Sequence, residues 1–404
     1  MKQPGTLFRP FMHPVRAMLS FVCWLALSIA VAYAGGGAQE FVKRQGTGFV
    51  LNGAPFTVAG INNHYLTFGS PQEVVRVLDD AAAMHANVVR TFIQPVIGSP
   101  QGAPMPTIWD WNSTSDSSDM GAKGVYLIYW DASRQRMAFN EGRDGFIRLD
   151  FLVAEARKRN LKLLIAFLDF WDYAGGAQQM RSWYGSDDPN TFFFSDPRCL
   201  EDYRTLVSYV LNRKNTITGT VYKDDPTIFA WELMNEPNVK TGKLLISWVS
   251  DMAAHVKSID PNHLVGTGYG HEQMADISVP SVDFGAWHGY PLYFNITNEK
   301  FATMIGEFCE IGKRASKPVL LEEFGLARSH ADQAGVYAKW LAAVRENADC
   351  AGWLVWRLVS RQDSGSFPTD QHDQFDIHND GGPAWTVLQK EAILMRSRSA
   401  APPP

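Results

Sequence analysis

Two stretches of the chain end in carboxylates placed for chemistry. The first is Thr227-Ile-Phe-Ala-Trp-Glu-Leu-Met-Asn-Glu-Pro237. Its run of β-forming residues reads as a buried parallel strand that stops where Asn235 and Glu236 are presented. Pro237 cannot continue the ladder and is expected to hold Glu236 extended. The second is Lys317-Pro-Val-Leu-Leu-Glu-Glu-Phe-Gly325. Acids at two strand ends suit hydrolysis of a glycosidic bond. One carboxyl protonates the leaving oxygen, and the other attacks carbon or activates water. Glu236 and Glu323 form the natural pair. Glu322 competes for the second place, because neighbours on a strand point to opposite faces and only one of the two is expected to face the site.

Other side chains stand at or just after strand ends: Arg90, Asp169, His288, Tyr290 and Trp356. A cation such as Arg90 would keep a nucleophilic carboxylate ionised. Asn235 would bond a substrate hydroxyl. Tyr290 would bond the nucleophile, and His288 would tune either acid. Trp356 would floor the reacting sugar, since aromatic faces bind the apolar faces of sugar rings. Ordinary packing is the competing role for each alone. Glu232 lies inside the Trp231 strand and needs a partner if it faces inward; Arg90 is the nearest guess.

The elements that must position these residues alternate along the chain. Strands are expected at 56–62, 87–92, 161–168, 227–235, 263–268, 282–288, 318–323 and 352–357. Helices are expected at 71–85, 144–160, 197–213, 241–259, 298–312, 330–346 and 383–396. Eight strand signals in alternation with helices predict an α/β fold, a single (β/α)8 TIM barrel with long βα loops. A doubly wound sheet would carry a Gly-rich phosphate turn after the first strand, and none is present. The loop at 94–143 is long and aromatic, with Trp109, Tyr126, Tyr129 and Trp130. A second aromatic loop holds Trp171, Tyr173, Trp183 and Tyr184. Loops of that length in a compact domain are usually functional.

The 404 residues are 46% hydrophobic and 20% charged, with net charge −5, a globular balance that gives no sign of nucleic-acid binding. Residues 1–34 read as a secretory leader: Lys2, Arg9 and Arg16, then an apolar run, then Ala32-Tyr-Ala34 before Gly35. That predicts a secreted chain, extracellular or periplasmic, with no stable membrane association once the leader is cleaved. An uncleaved anchor is the alternative. The catalytic domain is expected over 35–397, with a disordered tail at 398–404. Beyond the leader stand Cys199, Cys309 and Cys350, which allow one bridge of unspecified pairing.

Trp231-Glu-Leu-Met-Asn-Glu-Pro237 with Glu322-Glu-Phe-Gly325 resembles glycoside hydrolase family 5, and most of all its endo-β-1,4-mannanase branch. Val58-Ala-Gly-Ile-Asn-Asn63, Val89-Arg-Thr-Phe92, Asp172-Tyr-Ala-Gly175, Asp283-Phe-Gly-Ala-Trp-His-Gly-Tyr-Pro291 and Trp353-Leu-Val-Trp356 match in order, so the resemblance spans nearly all of 40–395. It implies a retaining enzyme acting on a β-linked polysaccharide such as mannan, glucomannan or a cellulose-like glycan, without metal or organic cofactor. Glu236 matches the acid/base, and Glu323 the nucleophile. Arg90, Asn235, His288, Tyr290 and Trp356 match positions around the reacting sugar, and Asp169 and Trp171 fall in the third-strand loop of the substrate site. The branch usually carries two Asn before that Trp, where this chain has Asp169-Phe170. His64-Tyr65, Gly289 and Gly268-Tyr-Gly-His-Glu272 also depart from it. These departures bear on the glycan, and leave a β-glucanase or transglycosylase as alternatives. A non-catalytic carbohydrate-binding barrel is the other class; it would have lost one carboxylate.

Overall fold

The computed structural model describes residues 40–109, 123–185, 188–271, 274–368 and 373–398. The leader, residues 110–122 of the long loop, and all but the first residue of the expected tail lie outside these. Phe41–Pro404 form one unit and Met1–Glu40 another; the barrel belongs to the former.

Its eight strands are β1 (Val58–Asn62), β2 (Val88–Phe92), β3 (Lys162–Ala166), β4 (Ile228–Glu232), β5 (Leu264–Gly266), β6 (Gly285–Gly289), β7 (Val319–Phe324) and β8 (Gly352–Val355). All are buried along their whole length, as expected of parallel strands covered on both faces. They pair in parallel in the order β5-β4-β3-β2-β1-β8-β7-β6. The seam between β5 and β6 is closed by single contacts. Asp283 N–H donates to Val265 O at 2.7 Å, Val265 N–H donates to Asp283 Oδ2 at 2.9 Å, and His288 N–H donates to Gly270 O at 2.9 Å. The barrel is therefore nearly closed, as the strand count predicts.

Alternation along the strands sorts the layers. Val58, Val88, Leu164, Ala230, Leu320 and Leu354 share one core cluster at the barrel's lower end. Two or four residues further on, the same face carries Asn62, Arg90, Glu232, Glu322 and Trp356. The polar layer is thus reached by continuing each strand upward. A small antiparallel sheet, Lys43–Gln45, Gly48–Leu51 and Ala54–Phe56, plugs the bottom, with Phe49 against Phe229 at 5.1 Å. The elements expected from the sequence leave residues 43–55 unassigned. The long loop likewise hides a hairpin, Ile128–Asp131 with Arg136–Phe139.

The helices fall where the apolar spacing puts them. Pro71–Ala83 shows why: Ser70 accepts from Glu73 N–H while Glu73 returns a bond to Ser70 N–H, Pro71 sits at the first turn, and Val74, Val77, Leu78 and Ala81 form the buried stripe. Among the described residues, no helix is long and apolar enough to cross a membrane. Cys309 and Cys350 are bridged across 41 residues, and Cys199 is free and buried. Closing a loop of that length contributes roughly 4 kcal/mol. Reduction is therefore expected to lower the melting temperature by several degrees, read by thermal denaturation with and without dithiothreitol. An unchanged melt would remove the bridge from the stability account.

Candidate active site

A cleft of about 710 Å³ opens at the C-terminal mouth of the barrel. Asp169, Trp171, Asn235, Glu236, Tyr290, Glu323 and Trp356 line it, as the sequence predicts. Arg90 and His288 do not. Arg90 is wholly buried and His288 nearly so, each held beneath the cleft by carboxylates, which corrects their expected place beside the sugar. Seven further residues line it: Phe92, Asp172 and Tyr173 fall in stretches that carry the family resemblance, His64 is one of the departures from it, and Tyr293, Arg357 and Asp373 come from loops far apart in sequence. Of these last three, Arg357 directly follows the Trp356 strand, the one clue available.

Glu236 is held from several sides. Its φ is +47°, so Pro237 does not keep it extended as expected. A non-glycine residue in the left-handed region is strained, and this one is pinned by its N–H bond to Gly268 O at 2.7 Å. The turn aims the carboxylate across the mouth. Trp171 Nε1 donates to Glu236 Oε2 at 2.7 Å, and His288 Nδ1 donates to Oε1 at 2.7 Å. His288 fits only because Gly270 packs on its ring; a Cβ there would stand 2.5 Å from His288 Cγ.

Glu323 faces Glu236. Arg90 Nη1 donates to its Oε1 at 2.6 Å, and the Tyr290 hydroxyl donates to Oε2 at 2.6 Å. One carboxylate oxygen of Glu236, one of Glu323 and one ring nitrogen of His288 all lie within 4.8 Å of one another. Asn235 Oδ1 accepts from Arg90 Nη2 at 2.9 Å, and its Nδ2 donates to Asp169 Oδ1 at 2.9 Å, so the amide is fixed.

Only Glu323 of the two neighbouring acids faces the cleft, as expected, but simple alternation is not the reason. Trp287 pairs with Leu321 but His288 pairs with Glu323, so Glu322 is the extra residue of a bulge. Both acids therefore reach the polar centre. Glu323 lines the cleft, while Glu322 lies wholly buried below it and meets His288 Nε2 at 3.0 Å. Glu232 pairs with Arg90 Nε at 2.8 Å, as expected.

The charges tune one another. Burial alone would lower the pKa of His288, but Glu323, Glu236 and Glu322 outweigh it and push it up to about 10. Burial acts to raise Glu236, yet the His288 bond and charge, the Trp171 N–H and Arg90 hold it below the usual carboxylate range. Glu323 is raised by burial, against the pull of His288 and Arg90, and Glu236 adds to the rise. The resting cluster thus carries its proton on His288.

The chain is similar to known proteins over most of its length. The profile described as GH family 5 beta-mannosidase-like matches residues 116–290. Mannan endo-1,4-beta-mannosidase 1 of Oryza sativa subsp. japonica is 31% identical, over 85% of this chain and 84% of its own. Mannan endo-1,4-beta-mannosidase 1 of Arabidopsis thaliana is 30% identical, over 80% and 82%. The chain belongs to glycoside hydrolase family 5. The endo-1,4-beta-mannanase structure from Rhizomucor miehei superposes with TM-score 0.75 at 26% identity, over 89% of this chain and all of that one. That from Thermotoga petrophila gives 0.69 at 28%, over 85% and 77%.

Within this family 5 enzyme the departures separate. Asp169 and His64 line the cleft. Tyr65 is buried, its hydroxyl accepting from Ser360 N–H at 3.2 Å. Gly289 faces away: a Cβ would stand 2.2 Å from Phe301, which fills the space of a larger residue. Asp169 is pushed up to about 7, first by burial and then by Glu236 and Glu323, against its bond from Asn235. An acid with a raised folded pKa costs stability as pH rises from its unfolded value to its folded one. Asp169→Asn keeps an oxygen for the Asn235 amide and removes that titration. We expect activity within a few-fold of wild type and a melting temperature about a few degrees higher at pH 8 than wild type, with the gap closing toward pH 4. A gap that widens toward acid would show the sign to be wrong.

Proposed function

We propose that this family 5 glycoside hydrolase is a retaining endo-β-1,4-mannanase, with Glu236 as acid/base and Glu323 as nucleophile. The supporting observation is the approach of the two carboxylates, one oxygen of each within 4.8 Å. Retaining enzymes keep the pair about 5 Å apart, while inverting ones leave roughly 6.5–9.5 Å for a water. Glu323 attacks the anomeric carbon while Glu236 protonates the leaving oxygen. Water, deprotonated by Glu236, then releases the sugar from Glu323. Arg90 and Tyr290 hold Glu323 in line, and Asn235 and Trp356 bind the sugar in the cleft. The names of the relatives favour mannan as substrate and internal cleavage.

Release of reducing ends from mannan, glucomannan and carboxymethylcellulose tests the reading. Mannan and glucomannan are expected to be cut. Cellulose derivative alone would move the specificity to glucan, and no cleavage of any would favour a binding barrel. Glu323 must be ionised to attack, and its pKa is raised. The acid limb of kcat/KM is therefore expected above the ordinary carboxylate range, with activity lost as pH falls through it. We also propose that residues 1–34 are removed on secretion; N-terminal sequencing should find a chain starting near Gly35, and a retained Met1 would contradict it.

A further inference from the structure

Arg90 is surrounded by more acid than it can balance. Its Nε meets Glu232 Oε2 at 2.8 Å and Glu322 Oε2 at 3.6 Å, and its Nη1 meets Glu323 Oε1 at 2.6 Å. The side chains of Arg90, Glu232 and Glu322 have no exposure at all. Glu232 Oε1 and Glu322 Oε1 are buried and meet no N–H or O–H donor among the described residues. The two carboxyl groups nevertheless close on the same Arg90 nitrogen, Nε, from two strands. Two anions packed on one guanidinium nitrogen away from water cannot both stay ionised. One proton on the pair removes that repulsion and leaves a single negative charge facing Arg90 from these two groups.

We propose that Glu232 and Glu322 form a buried one-proton pair, protonated on Glu232, and that the ionised Glu322, acting through His288, holds the proton that Glu236 delivers to the leaving group. The proposal rests on the acid/base reading of Glu236. Glu322 and Glu232 act as positioning residues, because neither touches the cleft.

The placement of the proton follows from the surroundings. Glu322 faces Arg90 and His288 as well as Glu232, with Asp276 the other acid near it. Burial would raise it, but Arg90, the protonated Glu232 and His288 bring it down to about 2. Glu232 faces Arg90 and Glu322, and burial drives it far up. His288 faces Glu236, Glu322 and Glu323. Its two ring nitrogens both point at carboxylates, Nδ1 at Glu236 and Nε2 at Glu322, so the resting ring is an imidazolium that donates both ways. When a glycosidic oxygen arrives, the Nδ1 proton crosses the 2.7 Å bond to Glu236 Oε1 and passes on to that oxygen. His288 is left neutral, with Nε2–H still donating to Glu322. After water attacks, Glu236 takes the water proton and returns one to Nδ1. The protons balance over the cycle.

Two isosteric variants read different halves of this arrangement. Glu322→Gln removes the anion under His288 and weakens proton binding by the His288–Glu236 unit. The basic limb of the kcat/KM profile is expected to move down by about one to three pH units, with kcat falling more than KM rises. Glu232→Gln puts a neutral donor where a protonated carboxyl stood, so the basic limb is expected to stay in place. Equal shifts in both variants, or no shift in Glu322→Gln, would overturn the proposal. Should Glu322→Gln fail to fold, infrared spectra of protein carrying 13C-carboxyl glutamate still decide the matter. Wild type at pH 7 should show a buried protonated-carboxyl band that shifts with the glutamate label and that Glu232→Gln abolishes, and its absence from wild type would overturn the pair. If instead wild type hydrolyses no glycan, the functional reading fails while the infrared result still reports on the pair.

Discussion

Glu236→Gln and Glu323→Gln are each expected to cut mannan hydrolysis by about a thousandfold or more while leaving the fold intact, because each replaces a carboxyl by an isosteric amide that neither protonates nor attacks. Loss in both does not by itself separate the roles, so the alanine variants carry the sharper expectation. With an activated aryl β-mannoside the leaving group needs no acid. Glu236→Ala should still form the glycosyl-enzyme, and added azide should intercept it to give the β-mannosyl azide. Glu323→Ala cannot form that intermediate. Azide should enter the vacated space and displace the leaving group directly, giving the α-anomer. Exchanged products would exchange the assignments. Rescue of neither, in folded protein, would argue against a double displacement through this pair.

Arg90→Met should have the largest effect on the fold. The guanidinium donates to Glu232, Asn62, Glu323 and Asn235 within 2.6–3.0 Å. Taking it away strands buried acids in the centre of the barrel. Removing one partner of a buried charge pair typically costs about 3–5 kcal/mol, because an uncompensated charge is left behind. A drop in melting temperature of roughly 10 °C is the expected scale. Activity should fall by about a hundredfold or more even below the melt, since Glu323 and Asn235 lose the donor that sets their geometry. Arg90→Lys should recover little, as one ammonium cannot reproduce a planar fork spread over four acceptors. Wild-type stability in Arg90→Met would mean that the acids below the cleft are protonated or hydrated in some other way.

The architecture was legible because burial leaves its mark at short range. Strands such as Asn87-Val-Val-Arg-Thr-Phe92 and helices such as Pro71–Ala83 declare themselves by period and caps. The paired carboxylates were legible because acids at the ends of such strands are hard to explain by packing. What failed did so where tertiary contacts overrule local rules. Pro237 predicts an extended Glu236, but the hydrogen bond to Gly268 holds it at positive φ. Alternation puts one of Glu322 and Glu323 in the cleft, and Glu323 alone lines it, but through a bulge that brings in both acids at different depths. Arg90 and His288 carry the right chemistry and lie one layer lower than expected, because the acids beneath them cannot be counted until the strands are in register. Tyr293 and Asp373 bond each other at 3.3 Å at the rim from segments 80 residues apart, a proximity no local pattern encodes.

The most direct test of the double displacement is to trap its intermediate. A 2-deoxy-2-fluoro-β-mannosyl fluoride should form the glycosyl-enzyme and release it slowly, because the fluorine slows both steps. Peptide mass spectrometry of the inactivated enzyme should then find one sugar, on Glu323. A label on Glu322 would exchange the roles of the two neighbouring acids. No label at any residue, together with an inverted anomer from the natural substrate, would contradict the retaining mechanism itself.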